Sequence, residues 1–240
     1  IAFFGFCNIH VKAQVSFEVA EIPWEPAERG SHRAVVRVKS RTDAVWAHIP
    51  WRRRDKSPEK KNIMVFDART GKQIDNRLTV EVNQEYGDIV FQPVTFPGDY
   101  YIYYLPYHLE GWVYNGNYKY DPPKVTAEQA WIDQHSLSQK ELKREPWKQF
   151  PRADLKKIQS RTNFDRCFPM EVIATKEETN QLLARYPNQR YLIFPEDREH
   201  EIRMFEQIPL KWIKEGPSHR FEGKAQPGEY YVFQLGVWAA

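Results

Sequence analysis

The chain has 240 residues, a formal charge of +3, 41% hydrophobic and 15% aromatic residues, which is enough apolar material for one large β domain or two small ones. Basic and acidic residues are interspersed along most of it, so no basic face for nucleic acid is expected. No apolar run reaches the length of a bilayer, so no membrane span is expected either.

The apolar run Ile1-Ala2-Phe3-Phe4-Gly5-Phe6-Cys7-Asn8-Ile9 is followed by His10-Val11-Lys12-Ala13. Val11 and Ala13 stand at the small-residue positions of a signal-peptidase site. Residues 1–13 are therefore expected to be the remnant of a secretory signal, with the mature chain starting at Gln14. The alternative is an ordinary N-terminal strand. Bulky Phe6 before Cys7 speaks against a lipid anchor. With the leader removed, Cys167 is the only cysteine, so no internal disulfide can form. Export without disulfides fits a bacterial periplasm or cell surface.

Strand signals then follow at short spacing. Val15, Phe17 and Val19 alternate with polar residues, as do Ala34, Val36 and Val38. Residues 44–49, 62–67, 78–82 and 89–94 read as further strands, separated by turn residues. The phrase Pro97-Gly98-Asp99-Tyr100-Tyr101 recurs as Pro227-Gly228-Glu229-Tyr230-Tyr231. Each copy predicts a type II turn feeding a strand. The expected apolar faces are Tyr101, Tyr103 and Leu105 in the first, and Tyr231, Phe233, Leu235 and Val237 in the second. Both strands are expected to be central in a sandwich, and the second to run on into a neighbouring unit. A duplication and a common turn phrase used twice are equally open.

Residues 107–165 read as a loop and helix insertion. Thr126 has capping-box spacing to Gln129 and is expected to start a helix; residues 137–144 and 153–160 are expected to be short helices. Strand character resumes over 168–174. Thr175 and Glu178 form a second capping box, for a helix to about Arg185, and a strand follows over 191–194.

No Gly-rich phosphate loop, nucleophile elbow or zinc-protease motif is present, and the seven histidines are scattered. No metal or cofactor is expected. A lone Cys167 reads as core. The carboxylates from Glu196 to Glu201 are close in sequence, and either a glycosidase pair or a charged turn would account for them. Trp51, Arg52 and Arg53 are candidate carbohydrate contacts, through indole stacking and bidentate guanidinium bonds; a solvated loop is the other reading. Trp112 and Tyr114 are candidates for sugar stacking or for packing on a neighbouring domain.

The phrases Phe168-Pro169-Met170-Glu171-Val172-Ile173-Ala174, Phe194-Pro195-Glu196-Asp197-Arg198, Leu210-Lys211-Trp212-Ile213 and Pro227-Gly228-Glu229-Tyr230-Tyr231 resemble the N-terminal β-sandwich domain of glycoside hydrolase family 123 enzymes. The resemblance is densest over 163–240 and looser over 32–109. It implies an exported bacterial parent that releases N-acetyl-β-galactosamine units, with an adjacent Asp-Glu pair acting in a downstream catalytic domain. This chain has only the reversed Glu196-Asp197, so no catalytic residue carries over. The expectation is a mostly β chain, an antiparallel sandwich over 14–240 with a few short helices, partnered by the catalytic domain of the same polypeptide. A free-standing carbohydrate-binding module and a glycosidase using Glu196 to Glu201 are the rivals.

Overall fold

The computed structural model describes residues 15–111 and 117–239. The expected signal segment and the candidates Trp112 and Tyr114 lie outside the described residues.

The first half consists of β1 (Ser16–Val19), α1 (Pro26–Arg29), β2 (His32–Val38), β3 (Val45–Ile49), β4 (Ile63–Asp67), β5 (Gln73–Ile74), β6 (Arg77–Val82), β7 (Gly87–Phe91) and β8 (Gly98–Tyr104). Then come β9 (Tyr107–Glu110), β10 (Asn117–Tyr120), α2 (Gln129–Gln134), α3 (Gln139–Leu142) and β11 (Asp154–Ser160). The last stretch holds α4 (Lys176–Arg185), β12 (Tyr191–Glu196), α5 (Leu210–Glu215) and β13 (Gln234–Ala239).

The chain is mostly strand, arranged in several open sheets. A six-stranded sheet has the order β1-β11-β2-β8-β4-β5, and a three-stranded sheet the order β3-β7-β6. All neighbours run antiparallel except β1 beside β11. One hydrophobic cluster takes side chains from both sheets: Val36, Val65 and Ile102 from the larger, Ala47, Ile49 and Phe91 from the smaller. On the far side of the larger sheet Trp24, Met64, Phe66 and Tyr103 form a second cluster. Trp131, Ile132, Leu137 and Trp147 pack against Val90 of the smaller sheet, which covers part of its other face.

The two Pro-Gly phrases differ in structure. At the second, Glu229 N donates to Gln226 O at 3.0 Å and Gly228 has φ +80°, as a type II turn requires. At the first, the Phe96–Pro97 peptide is cis and Gly98 already belongs to β8. The faces differ from expectation as well. In β8 it is Tyr100, Ile102 and Tyr104 that enter the shared core, while Tyr103 faces the other cluster. β8 is central, between β2 and β4. β13 is not: it pairs with β12 alone, turning Gly236 and Trp238 inward and leaving Leu235 57% and Val237 65% exposed.

Residues 154–160 form a strand, not a helix. Leu155 pairs with Val36 and Lys157 with Val35, so Lys156 is the extra residue of a β-bulge. The bulge puts Leu155 and Ile158 on one face at a spacing of three, which imitates a helix in the sequence. This strand lies inside the stretch read as an insertion, yet it sits between β1 and β2 of the main sheet. Thr126 does not cap α2. Its hydroxyl donates to Asp75 O and accepts from Arg77 Nη1, and Glu128 occupies the N-cap position. The strand expected over 168–174 is a 3-10 turn at Pro169–Glu171 followed by single bridges from Val172 to Arg53 and from Ile173 to Pro209.

The last seventy residues build a smaller unit around Met170, Leu182, Leu192, Phe194 and Trp212. Phe194 and Trp212 stack with ring centroids 4.4 Å apart. The expected capping box opens α4: Thr175 Oγ1 accepts from Glu178 N at 3.1 Å, and Glu178 Oε2 accepts from Thr175 N at 2.8 Å.

Candidate functional site

The run from Trp51 to Arg54 follows β3 and meets the smaller unit. Trp51 is 1% exposed. Its indole stacks on Tyr104 at 4.9 Å and donates to Asn83 O, so it is a core side chain with no free face for a sugar ring. Each arginine that follows has its own carboxylate. Arg52 is bidentate to Glu178, Arg53 Nε meets Asp55 at 2.7 Å, and Arg54 Nη2 meets Glu171 at 2.7 Å. Two of those carboxylates, Glu178 and Glu171, belong to the smaller unit, and Arg54 also donates to Arg203 O. The arginine run therefore fastens one unit to the other.

A cavity of about 150 Å³ lies under this run, with His32, Arg53, Arg166 and Cys167 in its wall. Burial, with the neighbouring Arg53 cation adding to it, pushes the His32 imidazole down to about 3, so it is neutral at ordinary pH. Its Nε2 lies 2.8 Å from Asp165 O and is the protonated nitrogen, donating there. Burial pushes the Cys167 thiol up. A protonated, half-buried thiol is a poor nucleophile, which agrees with reading it as core.

Three of the carboxylates of 196–201 are held by internal partners. Glu196 is 3% exposed; its Oε1 accepts from Trp212 Nε1 at 2.6 Å, and Lys211 Nζ lies 3.0 Å from Oε2. Asp197 Oδ1 accepts from the backbone N–H groups of Glu199 and His200 and pairs with the His200 ring, which closes a tight loop. Glu201 pairs with Arg203. These groups serve the local structure. Among the described residues no three His, Cys, Asp or Glu side chains are gathered where they could hold a metal ion, and no helix is long and apolar enough to cross a membrane.

A larger groove, about 780 Å³, opens between the β6–β7 turn and the start of α4, with Tyr86 and Trp238 in its lining. Nothing in the sequence singled it out. Its residues come from four separate stretches of chain, and only the fold brings them together.

The architecture defines a class first: a two-sheet β unit that carries a small α/β unit. The family model of the glycoside hydrolase 123 N-terminal domain matches residues 22–161. The chain belongs to that family. The match covers both main sheets except β1, and ends where the smaller unit begins. The phrases that carried the resemblance beyond residue 163 lie outside it. No curated relative and no solved structure matches the chain.

Proposed function

We propose that the chain is a non-catalytic scaffold: an antiparallel β-sandwich that supports the catalytic domain of an exported, N-acetyl-β-galactosaminidase-like glycoside hydrolase. The observation that carries this reading is the family match over residues 22–161. The sandwich is supported by the single hydrophobic cluster to which both sheets contribute. The non-catalytic role is supported by the carboxylates of Glu196, Asp197 and Glu201, which are held by internal partners. Two acids that act on a glycosidic bond must instead face each other across space for a sugar.

The test is hydrolysis of an aryl N-acetyl-β-galactosaminide by the purified chain. No turnover above a protein-free blank is expected. Turnover that disappears in Glu201→Gln, or in a Glu196→Gln variant that thermal unfolding shows to be folded, would overturn the reading in favour of an enzyme. Export is tested separately, by the intact mass of the protein from its native host: cleavage after Ala13 is expected, and a retained 1–13 segment refutes it.

A further inference from the structure

We propose that the groove between the β6–β7 turn and α4 is a binding site for a short neutral oligosaccharide. The proposal goes beyond the scaffold role and does not depend on the chemistry of any catalytic domain.

The groove of about 780 Å³ is within the size range of small-ligand sites. Its apolar surface comes from Tyr86, Trp238 and the buried Ile173 and Ile208. Trp238 packs against the smaller core and lines the groove as well, so it is fixed and still half-open. Such a ring suits the C–H face of a pyranose, which is apolar and flat.

The polar groups decide which ligand fits. Among the described residues, Lys176 Nζ, the Asn180 amide and Trp238 Nε1 have no hydrogen-bond partner. Gln207 donates to Gln84 through Nε2, which leaves its Oε1 available. Glu85 accepts from Lys176 N on Oε1 only, and its Oε2 is open. Donors and acceptors thus stand side by side over an apolar floor. Sugar hydroxyls both donate and accept, and they match this mixture.

Other ligand classes match less well. The groove carries one lysine against Glu85, Glu177 and Glu206, of which Glu206 pairs with Lys56 at 3.6 Å, so one negative charge remains in excess and disfavours a phosphate or sulfate. A wholly apolar ligand would desolvate the free amides and carboxylate without giving them partners.

The experiment is an NMR titration of the full chain with N-acetylated chitotriose, cellotriose and a galactotriose, each added separately. At least one is expected to give saturable shifts, with a Kd of about 1 mM or tighter, at Tyr86, Asn180 and Trp238. Lys176→Ala/Asn180→Ala removes two exposed α4 side chains and leaves the Lys176 backbone contact in place. It is expected to weaken binding about tenfold. Trp238→Ala, checked for folding by thermal unfolding, is expected to abolish it. The proposal is overturned if none of the three sugars gives a saturable response. It is equally overturned if the double variant binds as the parent does, or if the shifts map away from this groove.

Discussion

Arg52 donates to Glu178 twice, from Nη1 to Oε2 at 2.6 Å and from Nη2 to Oε1 at 2.9 Å, while the same carboxylate accepts from Thr175 N at 2.8 Å. One acid therefore caps α4 and anchors it to the end of β3. Sequence separation is 126 residues, so the bond ties the smaller unit to the main sheets. Both side chains are largely shielded, 20% and 27% exposed. A bidentate charged pair in that setting is stronger than an exposed one.

Arg52→Ala should therefore cost about 1–3 kcal/mol, and Arg52→Lys should recover only part of it, because an ammonium cannot make the fork. Urea unfolding checks this through the midpoint at constant slope. Burial works against the Glu178 carboxylate, but the Arg52 and Thr175 bonds outweigh it and hold its pKa below the usual value. A depressed acid pKa adds stability that is present above the unfolded value and is lost as pH falls through the folded one. The difference between the parent and Arg52→Ala should shrink as the pH drops below about 4. A difference that stays constant with pH would show that the pair is not charged.

His32 gives a second, separable acid sensitivity. Its folded pKa is pushed down to about 3 by burial and by Arg53, against an unfolded value of about 6.5. The folded state thus binds fewer protons than the unfolded chain between those limits. The stability is whole above about pH 6.5 and declines as pH falls toward the folded value, by up to ~3 kcal/mol at pH 4. His32→Gln cannot be protonated and keeps a donor for Asp165 O. The stability it loses between pH 6.5 and pH 4 should be smaller than the parent's by about that amount, whatever its stability at neutrality. An equal loss in the two proteins would mean that the imidazole is already open to protonation in the folded protein.

Two tryptophan rings lie close over glycines. A Cβ on Gly87 of β7 would fall far inside contact distance of the Trp51 ring, and one on Gly236 of β13 would do the same at Trp212. Neither glycine has a positive φ, so close approach is the reason for each. Gly87→Ala and Gly236→Ala should each destabilise by roughly 1–3 kcal/mol through overpacking. Thermal unfolding should place Gly71→Ala apart from both, since a Cβ there meets nothing within 4 Å and only its φ of +70° opposes the change. Equal losses at all three positions would remove the packing argument.

The strand 44–49 was legible because one of its faces is buried and a period of two follows directly, and 62–67 because a short apolar run between turn residues marks a strand buried on both faces. The Thr175 box was legible because both of its partners are local. What could not be read depended on distant residues. The bulge at Lys156 reset the spacing of β11 so that Leu155 and Ile158 fell three apart. Thr126 was diverted from α2 by Asp75 and Arg77, some fifty residues earlier. Trp51 and the arginines beside it read as a wet, charged loop because the carboxylates that neutralise Arg52 and Arg54 lie in another unit. The groove at Tyr86 and Trp238 had no sequence signal, because its residues come from four separate stretches of chain.

Glu196 separates the structural from the catalytic reading of the acidic cluster. It lies at the end of β12, 3% exposed, and receives Trp212 Nε1 on Oε1 and Lys211 on both oxygens. Lys211 is itself mostly shielded and also reaches Glu215. Burial opposes the ammonium, but its bonds to Glu215 and Glu196 outweigh it and raise the Lys211 pKa. A raised lysine pKa adds stability that is present below the unfolded value of about 10.4 and is lost as pH climbs through the folded one. Glu196→Gln keeps the shape and an acceptor for Trp212 but removes the charge that Lys211 faces. It should cost about 3 kcal/mol, the low end of the range for breaking a buried pair by removing one partner, because Lys211 keeps Glu215. Glu196→Gln/Lys211→Met removes both charges and should recover a good part of that loss, because no ammonium is then left facing a neutral amide. Chemical denaturation of the four proteins in a double-mutant cycle measures the coupling. A coupling near zero would mean that Glu196 is not held by Lys211, and its burial would then need another cause.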